Sequence, residues 1–331
     1  MTVRRPRIGF CDFWPGHEKD NFFRDFLEEH FEAVVSNEPD YVFYSNYGDE
    51  HLKYDDRVKI FYSGENAVPD FNFCDYALGF HRLDFGDRYL RFPLYLHYRG
   101  LDGFARIERP QLPDHDQLLD RRFCNFVYSN GSNADPTRDR FFHLLSSYKP
   151  VDSGGRHLNN IGGPVVDKDA FIGAYKFTIA FENSQSPGYV TEKIIEPMLV
   201  HSLPIYWGDP TVGDDFNEAS FVSARQFANL EEVVAEVARL DRDDARYLER
   251  LALPWLTRDQ STIDWAARLE AFFAGIFAQP PADAKRRPMF GYRLVDAANR
   301  RRQARVSAIV PNRVALRAYL GRVLNRWRQP S

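Results

Sequence analysis

Between Phe177 and Pro210 the chain reads "FTIAFENSQSPGYVTEKIIEPMLVHSLPIYWGDP": an apolar strand-like run, a polar loop, a helix and a second strand. The loop "ENSQSPGYVTEK" gathers far more polar chemistry than a turn requires. It leads into a helix start, where unsatisfied backbone N–H groups and the positive end of the helix dipole attract anions. Lys193 is expected in the first helical turn, where a cation is unfavourable unless an anion offsets it. That local conflict predicts a bound phosphate. Glu192 beside it is an acceptor suited to sugar hydroxyls. The plain structural alternative is a capping Thr191 with a solvated Glu and Lys.

The elements that must position this loop follow from periodicity. "RIGFCDF", "DYVFYSNY", "VKIFYSGEN" and "DYALGF" are β-prone runs, and "NFFRDFLEEHF" has helical spacing at Phe22, Phe26 and Phe31 with Leu27. A composition break follows at "ERPQLPDHDQLLDRR", read as a linker. Beyond it, "FCNFVYSN", the helix "RDRFFHLLSSY", the Gly-rich "DSGGRHLNNIGG", the helix "KDAFIGAYKF" and the strand "FTIAF" begin a second series. That series continues through "LPIYWG" and "LEEVVAEVARL" to "STIDWAARLEAFFAGIF". Alternation twice over predicts two parallel-sheet α/β domains facing one another, with ligands beyond the carboxyl ends of the strands.

The 331 residues are enough for two cores, and 44% hydrophobic with 27% charged residues is an ordinary globular composition. Cys11, Cys74 and Cys124 are widely spaced, with no zinc pattern, so a reducing, cytoplasmic setting is expected. No stretch reaches the roughly 20 apolar residues of a membrane span. The net charge of −4 is uneven: residues 281–331 carry thirteen Lys and Arg against Asp283 and Asp296, a net of +11, leaving −15 on the rest. An acidic body with a basic tail suggests that the tail meets something the body does not.

The motifs F-x-x-x-F-E-N-S, Y-V-T-E-K and P-I-x-W-G, in that order, resemble the signature of the α-1,3/4-fucosyltransferases, glycosyltransferase family 10 of the bacterial type. The resemblance extends upstream to "IFYSGENAVPDFNFCDYALGF" and "DRYLRFPLY", and downstream to "DDFNEASFV". It implies a GT-B fold of two Rossmann-like domains across a cleft, with the acceptor-side domain in 1–115 and the GDP-fucose-binding domain in 116–280. A basic amphipathic tail would fill 281–331. By the same resemblance Arg138, Asn183, Tyr189, Glu192 and Lys193 fall on donor-binding positions, and Arg138 on an arginine of the diphosphate. Arg140, two residues on, is the alternative for that task. Glu65 in "YSGEN" matches the proposed general base; on its residues alone it reads rather as a surface turn glutamate, and the resemblance reverses that reading. Inverting transfer needs one such carboxylate to take the acceptor proton, and no second carboxylate as nucleophile. The implied acceptor is the N-acetylglucosamine of an N-acetyllactosamine-type glycan.

"DHD" at Asp114–Asp116 and "DRD" at Asp241–Asp243 match Asp-x-Asp formally, but neither is expected to end a strand. No metal is therefore expected to be required, though Mn²⁺ or Mg²⁺ could stimulate. In the tail, Leu316, Leu320, Leu324 and Trp327 share one helical face, so residues 285–328 are expected either to lie on an anionic membrane surface, placing the protein on its inner face, or to pack on the body. The acidic body disfavours nucleic acid. Two rivals remain: a GT-B transferase with another donor or acceptor, and a non-catalytic carbohydrate-binding protein on the same fold.

Overall fold

The computed structural model describes residues 5–302, except 18–20, 102–103, 105–106, 108–111, 132–133, 289, 291–293, 297 and 301. The described residues form two compact units, one from 5–62, 69–77 and 276–302, the other from 63–68 and 78–275. These spans differ from the contiguous ones expected: residues 69–77 and 276–302 return to the first unit. The hydrophobic stripe expected at Leu316–Trp327 lies outside the described residues.

In the first unit β1 (Arg7–Cys11), β2 (Val34–Val35), β3 (Tyr41–Tyr44), β4 (Val58–Phe61) and β5 (Tyr76–Gly79) run in the order β2-β1-β3-β4-β5, and their pairings are parallel. All four residues of β3 are buried, as are those of β4, the pattern of strands covered on both faces. Helix α1 (Phe22–Phe31) is capped by Asn21, whose side chain accepts from Arg24 N at 3.1 Å, and buries Phe23, Phe26 and Leu27. Phe23 meets Tyr62 edge-on at 4.8 Å, and Phe277 meets Tyr41 at 4.8 Å. The start of the basic tail is tied into this unit. Arg286 and Arg287 donate backbone N–H groups to Asp75 Oδ1 at 2.8 and 2.9 Å, and the Arg287 guanidinium donates to Asp75 Oδ2. Arg287 also donates to the carbonyls of Asp55 and Arg57.

The second unit holds β6 (Tyr89–Arg91), β7 (Arg122–Phe126), β8 (Val151–Ser153), β9 (Tyr175–Phe181), β10 (Leu203–Trp207) and β11 (Val222–Ser223). Its five-stranded parallel sheet has the order β11-β10-β9-β7-β8. Every residue of β9 is buried, so its near-continuous apolar run marks it as a central strand. The helices are α2 (His115–Leu119), α3 (Thr137–Tyr148), α4 (Lys168–Gly173), α5 (Glu192–Leu199), α6 (Leu230–Arg242), α7 (Asp244–Leu251), α8 (Arg258–Ser261) and α9 (Trp265–Phe277). The expected helix "KDAFIGAYKF" stops at Gly173, because Tyr175–Phe177 pair with β7 and β10 instead. The expected linker contains α2, capped by Asp114. Helix α7 and strands β2, β6, β8 and β11 were not anticipated; these strands have only two or three residues each, too few to show a period.

Sheet order decides where a ligand fits. From β7 the chain goes first to β8 on one side, then to β9 on the other, so the topological switch point lies between β7 and β9. Open α/β sheets bind ligands outside the carboxyl ends of strands at such a point.

Candidate active site

A cavity of about 360 Å³ occupies that position. Its lining includes Asn130 after β7, Gly154 and Gly155 after β8, and Asn183 after β9, with Arg138, Glu192 and Lys193 from the two following helices. Gly155 is required by close approach: a Cβ there would lie 1.9 Å from the Tyr128 carbonyl oxygen.

Arg138 stands in the first turn of α3 and is fully buried. Its Nη1 donates to Asn183 Oδ1 at 3.1 Å, its Nη2 to the Asn130 carbonyl at 2.6 Å, and the guanidinium lies over the Tyr128 ring at 4.3 Å. Nε is buried without a hydrogen-bond partner, and Asp139 Oδ1 is 3.7 Å away. Its hydrogen bonds thus go to neutral groups, and the Asp139 carboxylate, beyond hydrogen-bond distance, offsets the charge only in part, leaving it able to attract an anion. Arg140 goes elsewhere. Its side chain is 67% exposed, pairs with Glu231 at 3.2 Å and does not line this cavity.

Thr191 caps α5, and Glu192 and Lys193 form the first turn that the sequence suggested. Lys193 Nζ lies 3.0 Å from Thr191 Oγ1, 3.3 Å from Glu192 Oε1 and 3.4 Å from Glu182 Oε2. Burial works against its charge, but Glu192 and Glu182 outweigh it and hold its pKa well above the ordinary value. The expected conflict with the helix dipole is therefore already met by two protein carboxylates, which a bound phosphate is not needed to replace. Glu192 and Lys193 are half-buried rather than solvated. Burial pushes the Glu192 carboxyl up, while Lys193 and Lys168 more than reverse it, leaving it ionised below the usual range.

Glu182, fully buried, was not singled out from the sequence. It accepts from Thr191 N and Thr191 Oγ1, both at 2.8 Å, locking the loop onto the end of β9. Burial raises its pKa, with Lys193 opposing. Its place at the end of an apolar strand was a visible signal. Lys168 on α4 and Glu196 on α5 were also missed: Lys168 Nζ reaches both Glu196 oxygens at 2.7 and 2.5 Å, and Tyr98 donates to the same carboxylate at 2.7 Å.

Tyr189 is buried edge-on against Phe80 at 4.9 Å. Gly188 before it, at φ +85°, gives its N–H to Asp209 Oδ1 at 2.9 Å, and its carbonyl accepts from Arg91 at 3.4 Å. A Cβ at Gly188 would meet the Phe80 carbonyl oxygen at 2.4 Å. Glu65 is exposed on the 63–68 segment of this same unit. The neighbouring Asn66 donates to Ser184 Oγ at 2.8 Å, and the Glu65 charge is among those acting on Tyr189. Glu65 does not line the cavity.

Among the described residues, no group of three or more His, Cys, Asp or Glu is placed to hold a metal ion. Asp114 caps α2, Asp241 accepts from Tyr148 and Lys149, and Asp243 caps α7.

Two parallel α/β units, the second with a cation-lined cavity at its strand ends, are the elements of the GT-B fold. The match to a crystal structure of an α1,3-fucosyltransferase has a TM-score of 0.75 at 33% identity, covering 87% of this chain and 94% of that one. A fucosyltransferase structure with GDP-fucose matches at 0.69 and 32%, covering 83% and 91%. The Anabaena protein HepE, in complex with UDP-glucose, is only 9% identical at a TM-score of 0.50 and shows the fold alone. The "Alpha-(1,3)-fucosyltransferase FucT N-terminal domain" family model matches residues 8–98, and "Glycosyltransferase family 10 (fucosyltransferase) C-term" matches residues 120–269. The chain belongs to glycosyltransferase family 10. The Helicobacter pylori protein "Alpha-(1,3)-fucosyltransferase FucT" is 35% identical over 284 residues, 74% of this chain. The chain spans 59% of the length of that relative.

Proposed function

We propose that the protein is an inverting α-1,3-fucosyltransferase that moves fucose from GDP-fucose to a GlcNAc hydroxyl of an N-acetyllactosamine-type glycan. The observation that carries this reading is the buried Arg138 guanidinium, which lines the same cavity at the switch point as Lys193. Arg138 and Lys193 take the diphosphate, where negative charge grows as the bond from the sugar C1 to the phosphate oxygen breaks. Glu192, kept ionised, accepts from sugar hydroxyls, and Asn183 and Tyr189 orient the donor. Glu65 takes the proton from the acceptor hydroxyl as its oxygen attacks C1 from the side opposite GDP. GDP leaves, and the configuration at C1 inverts.

Residues 285–328 supply the charge for an anionic membrane surface. The Arg287 guanidinium is committed to Asp75, and that of Arg286 to the Asp283 carbonyl and Gln279, so the positions after them would meet it. Measuring GDP release from GDP-fucose across an acceptor panel, with product linkage and anomeric configuration by NMR, tests the assignment. Turnover of GDP-mannose in preference to GDP-fucose would overturn it.

A further inference from the structure

Glu192 and Glu196 stand one turn apart on α5, and both line the cavity at the switch point. Like charges at that spacing repel, which favours proton uptake by one of them. Lys168, on α4, meets the more buried of the two. Its Nζ donates to both Glu196 oxygens, at 2.7 and 2.5 Å, and Tyr98 donates to Glu196 Oε1 at 2.7 Å. Glu196 is 3% exposed, and Lys168 is half-buried on the same lining. Burial pushes the Glu196 carboxyl up, Lys168 opposes that, and Glu192 adds to it.

Glu192 leans on two cations, and a ligand diphosphate competes for one of them. Lys193 Nζ lies 3.3 Å from Glu192 Oε1, and the Lys168 charge also acts on Glu192. Once Lys193 and Arg138 take a diphosphate, Lys193 is shared with the ligand and new negative charge stands beside Glu192. A carboxylate so placed takes up a proton unless another cation keeps it charged. Protonated, it loses the strength of a charge-assisted acceptor. The other groups around this pair of carboxylates do not supply that cation. Glu182 is an acid, and burial with the nearby carboxylates pushes Tyr98 and Tyr189 further from ionising. Arg99 is paired with Asp169 at 2.6 Å.

We propose that Lys168 is a positioning residue of the donor site: seated on Glu196, it keeps Glu192 a charged acceptor for the ribose hydroxyls of GDP while the diphosphate draws on Lys193. The site thereby selects a ribonucleotide over its dideoxy analogue. This rests on the reading in which Arg138 and Lys193 take the diphosphate and Glu192 accepts from sugar hydroxyls.

The test is calorimetry on the full chain with GDP and with 2′,3′-dideoxy-GDP. Buffers of low and high ionisation enthalpy are compared, so that affinity and proton uptake are read together. Lys168→Met keeps much of the side chain's length and removes its charge. It is expected to weaken GDP about tenfold at neutral pH, the factor of one pKa unit. It should also bind GDP with more proton uptake than wild type, a change that a merely structural defect does not produce. Dideoxy-GDP should bind wild type and variant alike. Because the single variant leaves Glu196 buried without its cation, Lys168→Met/Glu196→Gln is measured beside it and should regain most of the GDP affinity. Unchanged GDP affinity in Lys168→Met would overturn the proposal. So would equal weakening of both nucleotides, which puts Lys168 on the phosphate or the base. A loss without extra proton uptake, or a double variant as weak as the single, would overturn it too. Failure of the donor reading looks different: wild type itself would bind neither nucleotide, or would bind the two alike, and the proposal would fall with it.

Discussion

Arg138 Nη1 donates to Asn183 Oδ1 at 3.1 Å, joining the first turn of α3 to the end of β9 across 45 positions of chain. The bond fixes a buried cation to the strand end at which the candidate donor cavity opens, and makes the two side chains one unit of the site.

Arg138→Ala and Lys193→Ala should each weaken GDP as well as GDP-fucose, since the diphosphate is common to both. Losing a charge-assisted contact worth about 2 kcal/mol corresponds to roughly 30-fold in Kd. Calorimetry is the direct measurement. Unchanged GDP affinity in both variants would put the phosphate site elsewhere.

Glu65→Gln should leave GDP-fucose affinity near wild type and lower kcat by roughly 10²–10⁴, the usual contribution of a positioned base. Exposure of Glu65 makes a folding defect an unconvincing explanation of such a loss. A wild-type kcat would remove Glu65 from the mechanism.

Glu192 and Glu182 should affect stability with opposite pH dependence. The Glu192 pKa is depressed on folding, so its contribution is present above the ordinary value of 4.5 and is lost as pH falls through the folded value. The Glu182 pKa is raised, so its contribution is present below 4.5 and is lost as pH rises through the folded value. Melting curves across acid to neutral pH should therefore show the Tm deficit of Glu192→Gln shrinking on acidification. Glu182→Gln should compare less favourably with wild type at low pH than at neutral pH. Parallel Tm profiles for the two variants would contradict both assignments.

Activity is expected to persist in EDTA, because Arg138 and Lys193 can stabilise the departing diphosphate electrostatically. Modest stimulation by Mn²⁺ is compatible with this. Complete loss in EDTA with restoration by Mn²⁺ would refute it.

Arg287→Ala leaves Asp75 buried without its guanidinium and should cost about 3–5 kcal/mol, visible as a large fall in Tm. A chain ending at Arg302 keeps that pair. It should melt like the full chain and act on soluble acceptors, yet lose sedimentation with anionic vesicles. Equal vesicle binding by both lengths would end the membrane reading.

Much of the site was legible because its signals are local. The apolar run of β9, the Thr191 cap and the following amphipathic turn are all set by neighbours within a few residues. Hence the loop from Glu182 to Lys193 could be placed on a strand end and a helix start before any contact was known. The limits of α4 were not legible, since "AYKF" suits a helix until β7 and β10 supply partners for Tyr175–Phe177.

The sequence by itself determined the alternation of elements, the polar loop at a helix start and the uneven charge. These depend on period, capping and composition. Tertiary structure alone decided which polar groups are buried together. Arg138 and Arg140 lie about 200° apart around α3, but only packing on the sheet turns the first inward and leaves the second on Glu231. It likewise places Glu182 beneath Lys193, leaves Asp209 Oδ2 without a donor, and brings Arg287 to Asp75 across 212 positions of chain. Burial and pairing are properties of neighbours in space, and the chain acquires those neighbours only when the sheet order is set.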